Sequence, residues 1–165
     1  MSITFHNADI SYTLKNKRQL KQFIEEQIVK SSNCQIVKFS IVFCSDAYLL
    51  NINQKFLNHN YYTDIITFPL VQTKTHLEAE IYISIERVKE NAGKFKVQRS
   101  KTKAPAISPP LEGGARRAED DELHRVIFHG ILHLLGFKDK SKADKAAMRQ
   151  AEDKWLKKFS SITTQ

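Results

Sequence analysis

Apolar positions recur along this 165-residue chain with two different periods, and the switches between them mark its elements. Ser2 to Asn7 reads as a short strand. From Asn16 to Lys30, Leu20, Phe23, Ile24 and Ile28 fall at helical spacing with charged residues between them, which predicts an amphipathic helix. Gln35 to Cys44 alternates and is rich in Ile, Val and Phe, a strand pattern. Ser45 and Asp46 are good helix-capping types, and Leu49, Leu50, Ile52, Phe56 and Leu57 follow on a helix. A loop of Asn, His and Tyr over Asn58 to Tyr62 leads into a strand, Asp64 to Pro69, that the proline is expected to close. Glu78 to Ser84 sets Ala79, Ile81 and Ile83 against Glu80, Tyr82 and Ser84, the alternation of a half-buried strand. Ser84 or Ile85 to Phe95 reads as a helix, and Leu123 to Leu135 as a strongly apolar one that Gly136 stops, because a left-handed turn costs least at glycine. Ser141 caps a last helix to about Phe159, apolar at Ala147, Met148, Ala151, Trp155 and Phe159.

One stretch has neither period. Ser100 to Asp121 holds Pro105, Pro109, Pro110, Gly113 and Gly114, which cannot continue a helix or a central strand. It is expected to be a mobile inserted loop at 100–121 within a single 1–165 domain.

Composition narrows the class. With 41% hydrophobic and 27% charged residues, the chain resembles an ordinary soluble globular protein and is long enough to bury a core unaided. Collagen-like, coiled-coil and wholly disordered architectures are excluded. No stretch approaches the ~18 uninterrupted apolar residues of a membrane helix. Met1 to His6 lacks the basic start and apolar centre of a secretory signal, so a cytoplasmic protein is expected. Cys34 and Cys44 form no CxxC pair and read as small core side chains in a reducing compartment.

Lys and Arg number 26 against 18 acids, a net charge of +8. Such a surface attracts polyanions at long range. From Lys138 onward there are eight Lys/Arg against four acids, so half the excess lies there. The stretch from Ser100 to Asp121 is neutral on balance, which assigns the basic character to the folded part.

Candidate chemistry concentrates in His129-Gly130-Ile131-Leu132-His133-Leu134-Leu135-Gly136-Phe137-Lys138-Asp139. Positions i and i+4 of a helix lie on one face, so His129 and His133 present two imidazoles to one point. The turn at Gly136 can bring Asp139 back toward it. Two imidazoles and a carboxylate, with a fourth place for water, is an arrangement catalytic Zn²⁺ uses, and such an ion lowers the pKa of bound water to about 7. A His pair at this spacing is weak evidence alone, since a histidine on an apolar helix is more often a core residue; the helix-stop glycine and the acid beyond it strengthen it. Gly130 stands where zinc peptidases of the HExxH type carry a general-base Glu, which disfavours that mechanism.

The same run closely resembles the signature of the YbeY-type endoribonucleases, bacterial metal-dependent rRNA maturation factors. Asn53 through Phe56, Thr63 to Pro69, Glu80 to Ser84 and Glu122 to Arg125 agree in order. The resemblance implies an α/β (α+β) single domain with a small mixed β-sheet packed with about five helices. It implies one Zn²⁺ per chain, held here by His129, His133 and Asp139, and a zinc-dependent, single-strand-specific endoribonuclease of 16S rRNA 3′-end maturation. Single-stranded RNA, the 16S rRNA precursor and the small ribosomal subunit with its proteins are the partners this implies. Two departures stand out. Asp139 occupies the position of the family's usual third His ligand, and its charge should make bound water less acidic and admit harder metals. Leu57 stands where many members carry a phosphate-holding Arg; it reads as a core position, with Arg125 or Lys138 as substitute cations.

Other residues have plainer readings. Thr63 and Asp64 suit either the cleft or a strand-entry turn, and Glu80 either the cleft or a polar strand face. His124, about 140° around the helix from His129, is not expected to be a ligand. His59 is expected to be solvent-exposed, and Trp155 and Phe159 to be core. Two further readings stay open: a ribosome-associated RNA-binding assembly factor with a mainly structural metal, and a metal-dependent hydrolase of another substrate.

Overall fold

In the computed structural model, which describes residues 1–32, 34–100 and 112–163 and the side chains of all these except 95–100 and 112–115, the alternating segments become four strands. These are β1 (Ser2–Asn7), β2 (Ile36–Cys44), β3 (Ile65–Gln72) and β4 (His76–Ser84). The helices are α1 (Lys17–Ser31), α2 (Asp46–Leu57), α3 (Ile85–Ser100), α4 (Glu112–Leu134) and α5 (Lys142–Thr163). β1 runs parallel to β2 and β2 to β4, while β3 is antiparallel to β4, giving the order β1-β2-β4-β3. The result is the single α/β domain with a small mixed sheet and five helices that the sequence led one to expect.

Alternation decides which sheet face is buried. Val37, Phe39, Ile41 and Phe43 of β2 and Leu77, Ala79, Ile81 and Ile83 of β4 all face the core. Leu20, Phe23, Ile24 and Ile28 of α1 join the same core, and Phe23, Phe128, Trp155 and Phe159 pack ring to ring within it, 5.3–6.0 Å apart in the pairs Phe23 makes. Trp155 and Phe159 are thus core residues, as expected. α4 runs through the middle, touching β3, β4, α3 and α5.

Capping fixes the helix ends. The Ser45 hydroxyl accepts the Tyr48 N–H at the start of α2, and Ser141 and Asp144 exchange reciprocal side-chain-to-backbone bonds at the start of α5. Gly136, at φ 96°, closes α4 in the left-handed region as expected.

Two expectations are corrected. β3 does not end at Pro69 but continues to Gln72, because it is an edge strand: a residue without an N–H is tolerated there, and the register shifts between Pro69 and Val71. α4 begins at Glu112 rather than Leu123, so Glu112 to Asp121 is helix, not loop. This added length carries no large apolar side chain and no apolar period; Asp120 ties it to Lys15 at 2.9 Å. Residues 101–111 of the expected loop lie outside the described residues. Cys44 is fully buried, and burial pushes its thiol up to about 12. No helix among the described residues is long and apolar enough to cross a membrane.

Candidate metal centre

The C-terminal turns of α4 present His129 and His133 on one face, with Nε2 atoms 3.0 Å apart. Gly136 then reverses the chain and brings Asp139 Oδ2 to 3.7 Å from His133 Nε2. The three residues each offer an atom within 4.8 Å of the others, so the predicted ligand set is brought together.

What surrounds the rings decides their state. His129 Nδ1 lies 2.8 Å from Glu152 Oε1, and His133 Nδ1 lies 2.9 Å from the Phe137 carbonyl oxygen. Both partners can only accept, so both Nδ1 atoms carry hydrogen and donate. The two Nε2 lone pairs therefore face each other, and only a proton or a cation between them relieves that opposition. Their 3.0 Å separation is close to the ~3.3 Å edge of a tetrahedron built on 2.0–2.1 Å zinc–nitrogen bonds. The donor set fits a divalent ion.

Glu152 had no place in the sequence reading of the site. It lies on α5 in the buried stripe Met148, Glu152, Trp155 and Phe159, only 5% exposed. A carboxylate inside an otherwise apolar stripe was the available signal. Burial raises its pKa, but the bonds from His129 and Arg125 outweigh that and hold it below the ordinary Glu value. Burial likewise lowers the pKa of His129, and the Glu152 carboxylate overcomes it, leaving a net rise.

Arg125 does not reach the cleft. Its guanidinium lies 3.0 Å from Glu152 and 2.8 Å from Asp153, so α5 has consumed its charge. The cleft beside the triad encloses about 820 Å³, and Lys140 lines it where Lys138 does not. Thr63 and Asp64 also line it, Asp64 accepting from Asn91 Nδ2 at 3.2 Å. Leu57 is not core: at the last position of α2 it is 41% exposed and part of the cleft wall. Glu80 lies outside this cleft, beside Lys38 and Glu78 in a separate pocket, and accepts from the Tyr82 hydroxyl. His124 is buried between Phe128 and Phe159 and is no ligand. His59 is exposed, as expected, but it also lines the cleft.

Gly130, which stands in place of a peptidase-type base, lies where α4 packs closely on β3. A β-carbon there would meet Ile65 Cδ1 at 2.6 Å and Thr67 Oγ1 at 3.0 Å, because α4 lies directly on β3. A glutamate there would have to displace the Ile65 side-chain end and the Thr67 hydroxyl.

Comparison with known proteins agrees with this picture. The family profile described as "Endoribonuclease YbeY" matches residues 2–106 and 112–160, breaking only inside the stretch expected as an insertion. A protein named Endoribonuclease YbeY from Cytophaga hutchinsonii is 40% identical over 152 residues, 92% of each chain. One of the same name from Flavobacterium psychrophilum is 38% identical over 93% of this chain and 94% of its own. Another, from Bacteroides thetaiotaomicron, is 35% identical over 94% of this chain and 98% of its own. The solution structure of TM1509 from Thermotoga maritima shares the fold, with a TM-score of 0.58 and 23% identity over 95% of this chain and 88% of that one.

Proposed function

The chain belongs to the endoribonuclease YbeY family, and on that footing we propose that it is a metal-dependent endoribonuclease of single-stranded RNA. Its proposed role is 16S rRNA 3′-end maturation on the small ribosomal subunit, in the cytoplasm. The proposed ion is Zn²⁺, one per chain, on His129, His133 and Asp139. The chain is proposed to act as one domain over residues 1–165.

The observation that carries this reading is the convergence of two lone pairs, His129 Nε2 and His133 Nε2, 3.0 Å apart in the lining of the cleft. When bound, such an ion would supply Lewis acidity toward a phosphoryl oxygen and acidify a coordinated water, less strongly with the Asp139 carboxylate than with a third imidazole. The residues do the rest. Glu152 fixes the tautomer and orientation of His129 and raises its basicity, and the Phe137 carbonyl does the same for His133. Arg125 keeps Glu152 charged and in place. Lys140 is the cation that meets a substrate phosphate in the cleft, in the role that Leu57 cannot fill.

Elemental analysis of the purified protein is expected to find close to one zinc per chain. His133→Ala is expected to lose both metal and RNA cleavage. Undiminished cleavage by that variant, with contaminating nucleases excluded, overturns the reading.

A further inference from the structure

The wall of the cleft formed by the loop between α2 and β3 has a chemistry of its own. His59 and Tyr61 both line the cleft, and their rings stack on each other, centroids 5.1 Å apart and 24° from parallel. Tyr61 is 57% exposed, so this aromatic surface is turned to solvent rather than folded onto the core.

The backbone beneath the rings is fixed. Asn58 ends α2 in the left-handed region at φ 56°. The His59 N–H donates to the Asn53 carbonyl at 3.2 Å, and the buried Asn53 amide donates back to the Tyr61 carbonyl at 2.9 Å. Gln54 Nε2 donates to Asn60 Oδ1 at 2.6 Å, and Tyr61 Oη and His59 Nδ1 share a bond at 3.1 Å. A buried asparagine spent on holding two exposed rings in place describes a preorganised surface, and nothing in the metal centre uses it.

We propose that the His59–Tyr61 pair is a base-stacking platform. A nucleobase next to the phosphate at the metal triad lies on it, and this selects unpaired strands. The proposal deepens the nuclease reading and rests on it. Three features favour a nucleic-acid strand as occupant: the platform and the triad share one cleft, Lys140 lines that same cleft, and the protein carries a net charge of +8. Every base offers a π-face to an aromatic ring, but only in a strand free of duplex stacking.

The test measures binding of a labelled single-stranded oligoribonucleotide to the full-length, metal-loaded protein by fluorescence anisotropy, with the strand verified intact. Three probes are compared: the strand itself, the same strand with abasic nucleotides, and its duplex. Tyr61→Ala is expected to weaken binding of the single strand about tenfold, within the range for loss of one stacked base. Tyr61→Phe is expected to restore it. The abasic strand is expected to bind the wild type and Tyr61→Ala equally, and duplex binding is expected to be the same for both. In cleavage assays the Tyr61→Ala effect is expected in KM rather than kcat. An unchanged single-strand affinity in Tyr61→Ala overturns the platform, as does an equal loss with abasic or duplex probes, which would mark a backbone contact or a surface for another protein. Wild-type binding without cleavage overturns the nuclease reading alone; no wild-type binding overturns both.

Discussion

Gly130 of α4 and Ile65 of β3 touch so closely that a β-carbon on the glycine would stand 2.6 Å from Ile65 Cδ1. Gly130→Ala gains about 1 kcal/mol of helix propensity but incurs ~1–3 kcal/mol of overpacking. The expected net loss is about 1 kcal/mol, read as a Tm some 2–4 °C lower. Gly130→Leu is expected to lose more. A more stable alanine variant would mean that Ile65 and Thr67 turn aside freely.

Glu152 reaches the metal centre only through His129. Glu152→Gln removes the charge while keeping an acceptor, and is expected to lower zinc affinity ~10–100-fold, the usual range for such a partner. Competition with a chromophoric chelator measures it. Affinity equal to wild type would show that Glu152 serves only to dock α5 on α4.

His124 sets a pH limit on stability. Burial, only partly offset by Asp120, depresses its pKa from 6.5 to about 4. Below pH 6.5 the unfolded chain takes up a proton that the folded chain refuses until about pH 4. Its contribution is therefore complete above 6.5 and is lost as the pH falls toward 4, roughly 3 kcal/mol in all. His124→Phe keeps a ring between Phe128 and Phe159 and is expected to show a flatter stability profile across that window by urea denaturation. Parallel profiles would place the proton uptake elsewhere.

Lys140 shares its cleft with the carboxylates of Asp64 and Asp139. Removing one phosphate contact from a single-stranded complex should reduce the slope of log K against log salt by about 0.7, equivalent to about fivefold weaker binding at 0.1 M salt. Lys140→Ala is expected to show both changes, and Lys138→Ala neither. An unchanged salt slope in Lys140→Ala would exclude the contact.

The strands and the histidine pair were legible because they depend on local periodicity: alternation in β2 and β4, and spacing of four on α4. Less local features were not. The first ten residues of α4 hold no large apolar side chain, so no apolar stripe announces them, and the nearby prolines and glycines point to a loop. Arg125 does share the face of His129, one turn before it on the helix; only the docking of α5 reveals two acids waiting for it. The same docking makes Glu152, which the sequence alone gives no role, the partner of a proposed ligand. His59 was expected in solvent and is there, but its stacking on Tyr61 depends on the turn that Asn53 and Asn58 impose.

The bulge and proline in β3 bear on self-association. An open strand at a sheet's margin invites pairing with a second chain, and a missing N–H together with an interrupted ladder discourages it. The margin so protected is the one that borders the cleft, where a foreign strand adding to the sheet would wall off the approach to His129 and His133. Pro69 thereby disfavours strand addition at this margin through a ring that removes a donor rather than through a charge.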